Sequence, residues 1–231
     1  MSDTLEVQYR VTPLSQHIGA EIHGIDLSQP LDQASIDFIN QVWHDHLVLV
    51  VRNQKLSQED LLRVTSYFGE IGHLHRPAKY FPPGFSKILP DIMLISNIRE
   101  NGEPIGALPD GEMMFHSDQT HVEKPAMATM LYAMEIPSKG GDTLFANMYM
   151  AYDALSFGMK KLIADLHGIH MSGTRKVDDA KLGAKRVNEQ VRISPPIAQP
   201  VVRVHPETGR KALYLGEKVK RFDGMTEDES R

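Results

Sequence analysis

The sequence predicts a mainly β fold with a few flanking helices, and two observations lead to this prediction. Short β-branched or apolar runs recur along the chain, separated by glycine and proline, which is typical of strands joined by turns. Only a few stretches instead carry apolar residues at helical spacing. The chain has 231 residues, of which 41% are hydrophobic and 24% charged. A single domain spanning residues 1–231 can therefore bury a sizeable core.

The first third of the chain is predicted to contain strands on either side of two helices. Residues 7–11 and the alternating segment 14–27 have the pattern of strands, with glycines as turn punctuation. Residues 33–46 carry apolar side chains at helical spacing, and the β-branched run 47–52 is typical of a buried strand. Ser57 begins a second helix, because Ser-x-x-Asp is a variant of the capping box.

Beyond residue 70 most elements are predicted to be strands. They are expected at 92–95, 126–135, 143–147, 200–204 and 211–215, together with a helix over 152–166 that is interrupted near 156–158. Residues 97–111 are rich in glycine, asparagine and proline and are expected to form a long loop. Loops beside a functional site often set substrate choice.

Composition and charge exclude several classes of protein. The net charge is −5 and the pI about 6.1, whereas a nucleic-acid-binding protein usually carries a basic face. The chain has no cysteine, which excludes disulfides and thiolate metal ligands. It begins without the basic and apolar regions of a secretory signal, and no apolar run is long enough to span a membrane. These features predict a cytoplasmic protein without a nucleic-acid or membrane partner.

The candidate chemical centre is the motif His116-Ser117-Asp118, which has apolar residues on both sides. On an extended strand, positions i and i+2 point to the same face, so His116 and Asp118 would project together. An imidazole and a carboxylate on one face are two ligands of the 2-His-1-carboxylate triad, which suits Fe(II). The alternative is a polar turn at the end of a strand.

Three other histidine groups invite a metal interpretation, and each has a simpler one. His73 and His75 share the i, i+2 relation but fit a polar loop after a helix. His167 and His170 fit the beginning of a strand. His205 precedes a proline and fits the turn of a hairpin.

The order of motifs after His116 resembles one known family. Pro125 to Ala133, the sequence Gly-Gly-Asp-Thr at 140–143 and His-Pro-Glu-Thr-Gly-Arg at 205–210 follow in turn. This arrangement, which extends over nearly the whole chain, resembles the taurine dioxygenase / 2,4-dichlorophenoxyacetate dioxygenase family. The resemblance implies a double-stranded β-helix (a jelly roll, cupin-like) that uses Fe(II) and 2-oxoglutarate.

The resemblance also implies roles for particular residues. His116 and Asp118 would be metal ligands and catalytic, and the Thr143 hydroxyl would bind a carboxylate of 2-oxoglutarate. A histidine in the loop at 72–77 would line the substrate pocket, and His75 is assigned to it with His73 as its rival. The second histidine ligand and the 2-oxoglutarate arginine would follow Arg231, so the C-terminal part of the fold, roughly fifty residues, is expected to be missing.

The implied function is hydroxylation of a small anionic substrate, such as a sulfonate or an aryloxy or alkyl carboxylate, with O2 consumed and succinate and CO2 released. A homo-oligomer, dimer or tetramer, is expected. Residues 175–199 are either a solvated insertion or a mobile lid. Two alternatives remain: a cupin-type metal hydrolase or isomerase, and a non-catalytic β-helix binding module.

Overall fold

The computed structural model describes residues 9–72, 87–107, 114–171 and 195–231. The chain divides into two compact units. The first unit combines Met1–Glu70 with Met130–Asn147, and the second combines Ile71–Thr129 with Met148–Arg231. Part of residues 7–11, the loop with His73 and His75, and residues 175–194 of the predicted insertion or lid lie outside the described residues.

The first unit is a small three-stranded sheet with two helices. Strands β1 (Arg10–Pro13) and β2 (Ala20–His23) are antiparallel, and β3 (Leu49–Val50) joins β2 in parallel. Helices α1 (Gln33–His46) and α2 (Gln58–Ser66) contribute the other side of one hydrophobic core. Its buried members are Ala20, Ile22, Ile25, Leu27, Ile39, Val42 and Val64.

Both helices begin where the sequence predicts. Helix α1 follows Asp32, whose side chain accepts a hydrogen bond from the backbone N–H of Ser35 at 2.8 Å. Helix α2 follows Ser57, and the reciprocal capping box with Asp60 is present in both directions. These caps satisfy N–H groups that have no partner inside the helix, so the predicted helices at 33–46 and after Ser57 are confirmed.

The predicted strands at 126–135 and 143–147 are wrong, because neither segment contains a strand. A strand needs a hydrogen-bonded neighbour, and no described residue pairs with them in a ladder. Met130 packs on the core of the first unit, and the Tyr132 hydroxyl accepts a hydrogen bond from the N–H of Leu56 at 3.1 Å. The intervening and following apolar side chains are exposed: Leu131, Met134, Ile136, Leu144 and Phe145.

The second unit contains short sheets and two short helices. Strands β4 (Arg99–Glu100) and β5 (Glu103–Pro104) form one hairpin, and β8 (Val202–Val204) and β9 (Lys211–Leu213) form another. Strand β6 (His167–His170) lies between β7 (Ile197–Pro200) and β10 (Val219–Phe222), antiparallel to both. The helices are α3 (Met148–Asp153) and α4 (Phe157–Ile163).

Several predictions for this unit are confirmed. The helical region is interrupted before α4, where Ser156 caps the new helix. His167–His170 is a strand, as its simpler interpretation requires, and the hairpin around His205 is present. The His205 ring accepts hydrogen bonds at Nδ1 from the N–H groups of Glu207 and Thr208, both at 3.3 Å. This histidine therefore stabilises a turn.

Other local predictions were wrong. Residues 92–95 form no strand and contribute only an isolated bridge between Ile95 and Ala107, and the expected loop 97–111 contains the β4–β5 hairpin. The charged segment after Gly216 contains β10, which the sequence did not predict. The described residues thus form mixed small sheets with few helices, in keeping with the mainly β class. No helix among them is both long and apolar enough to cross a membrane.

Candidate metal centre

His116 and Asp118 lie in the second unit, on an irregular segment that enters a turn. The expected strand is absent: residues 116 and 117 belong to no helix or strand, and Asp118 begins the turn. Gln119, the next residue, has a φ of 52° in the left-handed region. The predicted common face of His116 and Asp118 is nevertheless found, because the turn brings their side chains together.

The hydrogen bonds of His116 decide which ring nitrogen is free to bind a ligand. Its Nδ1 lies 2.8 Å from the carbonyl oxygen of Met114. A carbonyl can only accept, so Nδ1 carries the proton. In the neutral ring Nε2 then has its lone pair exposed, and this atom lies 3.4 Å from Oδ1 of Asp118. A histidine that donates one N–H to a carbonyl and offers the other nitrogen is the usual arrangement of a metal ligand.

Nε2 of His116 and Oδ1 of Asp118 face each other across a short gap and form an ion pair when Nε2 carries a proton. In place of that proton, a metal ion would bind both atoms. Two ligands about 2.1 Å from one octahedral ion and at right angles to each other are about 3 Å apart. The observed 3.4 Å is close to this separation, so the pair fits two neighbouring ligands of one metal ion. Within the described ranges no group of three potential ligands completes such a site.

The second oxygen of Asp118 is already engaged. The hydroxyl of Thr129 donates a hydrogen bond of 2.7 Å to Oδ2. The Asp118 side chain is 50% exposed and that of His116 is 23% exposed, so the pair is accessible from solvent. The contact with Thr129 leaves Oδ1 as the carboxylate oxygen that faces His116.

The segment is also supported by the backbone on its other side. The N–H of Glu217 donates to the carbonyl of Phe115 at 3.1 Å. Gly216 lies so close that a Cβ there would stand 3.0 Å from this carbonyl oxygen and 3.2 Å from Cα of His116. The turn that follows is held by Gln199 of β7, whose amide donates to the carbonyl of Val122 at 3.0 Å.

A buried histidine lies near this segment. His170 is 1% exposed, and neither of its ring nitrogens has a hydrogen-bond partner among the described residues. It stacks on Tyr214 with a centroid distance of 5.5 Å and lines a small pocket together with Ser117 and Gly216. Burial, and secondarily the nearby His121, lower the pKa of His170, so the ring is neutral near pH 7. Residues three positions apart in a strand point to opposite faces, and in β6 His167 is exposed whereas His170 is buried. The two histidines therefore cannot bind one metal ion together.

The other candidate residues are placed differently. Thr143 belongs to the first unit, where it is exposed and not in a strand. The preceding Gly140 and Gly141 have φ values of 78° and 75°, in the left-handed region that favours glycine. His75 and its rival His73 lie outside the described residues.

Sequence reasoning missed three residues that contact or support the motif: Thr129, Gln199 and Gly216. Each left a faint signal. Thr129 and Tyr132 are the two hydroxyl-bearing residues in the apolar run from Ala126 to Ala133, Gln199 directly precedes the predicted strand at 200–204, and Gly216 directly follows the last predicted strand. None of these signals indicates a partner.

Comparison with known proteins supplies the context of this geometry. A family model described as "Taurine catabolism dioxygenase TauD, TfdA family" matches residues 10–231. An (S)-phenoxypropionate/alpha-ketoglutarate-dioxygenase of Sphingobium herbicidovorans is 28% identical over 96% of this chain and 75% of its own length. An alpha-ketoglutarate-dependent sulfate ester dioxygenase of Pseudomonas putida is 31% identical over 94% of this chain and 69% of its own length.

A solved structure gives the same result for the fold. The crystal structure of a taurine dioxygenase from Burkholderia xenovorans aligns with a TM-score of 0.69 and 29% identity. The alignment covers 96% of this chain and 69% of that protein.

Proposed function

The chain belongs to the TauD, TfdA family of Fe(II)- and 2-oxoglutarate-dependent dioxygenases, and we propose that His116 and Asp118 are its iron ligands. The single observation that carries this proposal is the facing of His116 Nε2 and Asp118 Oδ1 at 3.4 Å. With Nδ1 held by the carbonyl of Met114, the lone pair of Nε2 is the one available for a metal ion.

Each side chain contributes a different property to the proposed site. His116 supplies a neutral nitrogen whose tautomer is fixed by Met114, and Asp118 supplies a negative charge that favours a divalent cation. When bound, Fe(II) and 2-oxoglutarate supply the oxidative chemistry, in which O2 is consumed, succinate and CO2 are released and a substrate C–H bond is hydroxylated. Thr143 is proposed to donate its hydroxyl to a carboxylate of 2-oxoglutarate, and His75 to line the substrate pocket.

The proposed substrate is a small organic anion, either a sulfonate or sulfate ester or an aryloxy or alkyl carboxylate. The names of the relatives support this class, because one acts on phenoxypropionate and another on sulfate esters. No described residue distinguishes a carboxylate from a sulfur oxyanion. The proposal therefore names small organic anions as the substrate class and no individual compound.

The proposal includes the architecture in which this site operates. We propose a double-stranded β-helix, which the alignment with the taurine dioxygenase structure supports. We also propose a homo-oligomer, dimer or tetramer, because the segment Met130–Asn147 exposes several large apolar side chains. Light scattering of the purified protein tests this part. A cytoplasmic location is proposed as well, with which the lack of cysteine is compatible.

Succinate release tests the activity and separates it from the two alternatives. The protein is incubated with Fe(II), 2-oxoglutarate and a panel of sulfonates, sulfate esters and aryloxyalkanoates, and succinate and product are measured together. We expect equal amounts of both with at least one compound, and His116→Ala should abolish turnover. Product without succinate would indicate a hydrolase or isomerase. A complete chain that neither binds Fe(II) nor turns over 2-oxoglutarate would indicate a binding module, and full activity of His116→Ala would refute the ligand assignment.

A further inference from the structure

A side chain outside the motif fixes the orientation of the proposed carboxylate ligand. The hydroxyl of Thr129 donates to Oδ2 of Asp118 at 2.7 Å, a distance typical of a charge-assisted bond between a hydroxyl and a carboxylate. The other oxygen, Oδ1, faces Nε2 of His116. The two carboxylate oxygens thus have different partners.

This difference matters because the terminal torsion of aspartate has no strong intrinsic preference. Rotation about the bond to the carboxyl group is broad and roughly two-fold, so either oxygen could turn towards His116. Asp118 is half exposed and carries little packing that would restrict it. Thr129 is β-branched and therefore stiff at χ1, which makes its hydroxyl a fixed donor.

We propose that Thr129 is a positioning residue, which binds Oδ2 of Asp118 and so presents Oδ1 alone to the metal ion. The hydroxyl has a single proton to donate, and it gives this proton to the oxygen turned away from His116. The hydrogen bond also spreads the negative charge of the carboxylate and disfavours binding through both oxygens. The inference rests on the proposed metal site formed by His116 and Asp118.

Mn(II) is the probe for this inference, because the binding of Mn(II) can be followed in air by the loss of the EPR signal of the free ion. Thr129→Val keeps the shape and removes the hydroxyl, whereas Thr129→Ser keeps the hydroxyl. Loss of a group that orients a ligand typically weakens metal binding by about 10–100-fold. We expect Thr129→Val to raise the Kd for Mn(II) about tenfold and Thr129→Ser to stay within about twofold of the wild type.

Two further variants and a second readout keep the outcomes separate. Thr129 is exposed, so the thermal midpoint of all Thr129 variants should equal that of the wild type. His116→Ala and Asp118→Ala should lose Mn(II) binding. If they do and Thr129→Val binds as tightly as the wild type, the inference is overturned while the metal site stands. If both ligand variants bind Mn(II) normally, the proposed site itself is refuted.

Discussion

The close approach of the Gly216 backbone to the proposed site provides a sharp test of how rigidly the site is held. Gly216 has an ordinary φ, so alanine is excluded there only by space. The new Cβ would stand 3.2 Å from Cα of His116, whereas carbon atoms ordinarily approach to about 3.5 Å. This Cα atom and the nearby carbonyl oxygen of Phe115 both belong to the backbone, so rotation of a side chain cannot relieve the contacts. The His116 segment must therefore move by about 0.3 Å or more.

A displacement of this size exceeds what a metal site tolerates. Distances between ligands and metal normally hold within about 0.2 Å, so we expect Gly216→Ala to raise the Kd for Mn(II) about tenfold. Overpacking typically costs about 1–3 kcal/mol of stability. For a chain of this size each kcal/mol lowers the thermal midpoint by about 2–4 °C. Both the affinity and the midpoint should therefore fall.

The matched control is Gly158→Ala, because a Cβ at this position of α4 meets no described atom beyond its chain neighbours and the backbone of its own helix within 4 Å. Alanine is the better helix former by about 0.5–1 kcal/mol, so this variant should be as stable as the wild type or slightly more so. Its Mn(II) affinity should not change. A Gly216→Ala protein with a lowered thermal midpoint and unchanged Mn(II) affinity would refute the argument, since the contact would then affect folding but not the proposed ligand.

Two further predictions concern stability. Burial lowers the pKa of His170, so as the pH falls below about 6.5 the histidine binds a proton mainly in the unfolded state. The free energy of unfolding should therefore decrease by up to about 1.4 kcal/mol per pH unit. Between pH 7.5 and 5, urea unfolding should show a smaller decrease in the free energy of unfolding for His170→Leu than for the wild type. The control is His167→Leu, at an exposed position, which should behave like the wild type; equal decreases in all three proteins would contradict the prediction. Ser57→Ala removes the cap of α2 and should cost about 1 kcal/mol in urea unfolding, whereas Ser66→Ala at the other end of the helix should cost clearly less, and equal losses would contradict the capping role.

The elements that the sequence predicts well are those whose signals are local. Helix α1 and the capping box of α2 were predicted at the positions where they occur, because a cap is made by residues three positions apart. The hairpin around His205 depends on glycine, proline and neighbouring backbone groups in the same way. Local hydrogen bonding can be recognised from a few letters.

Strand pairing is not local, and here prediction from sequence was less successful. Residues 126–135 have strand-like composition, yet no described neighbour forms a ladder with them, and an apolar pattern alone does not make a strand. Strand β10 was missed for the reverse reason: its charged sequence does not predict a strand, yet the segment pairs with β6. The partner of β10 lies far earlier in the chain, so no local pattern reveals the pairing.

The candidate site combines both situations. The identities of His116 and Asp118 and their spacing predicted that the two side chains would face each other, which is correct, although a turn and not a strand achieves it. Gln119, in the left-handed region, is a residue type that gives no warning of such a turn. The local conformation is therefore imposed by contacts from elsewhere.

Those contacts come from parts of the chain that share no spacing with the motif. Thr129 binds the carboxylate, Gly216 lies against the backbone of His116, and Gln199 holds the turn behind them. The identities of His116 and Asp118 specify which atoms can bind a metal ion. The directions of their lone pairs depend on the contacts made by these three other residues. For this reason the seven residues from Phe115 to His121, placed in an unrelated chain, would carry the donor atoms without their orientation and should bind a divalent metal ion only weakly.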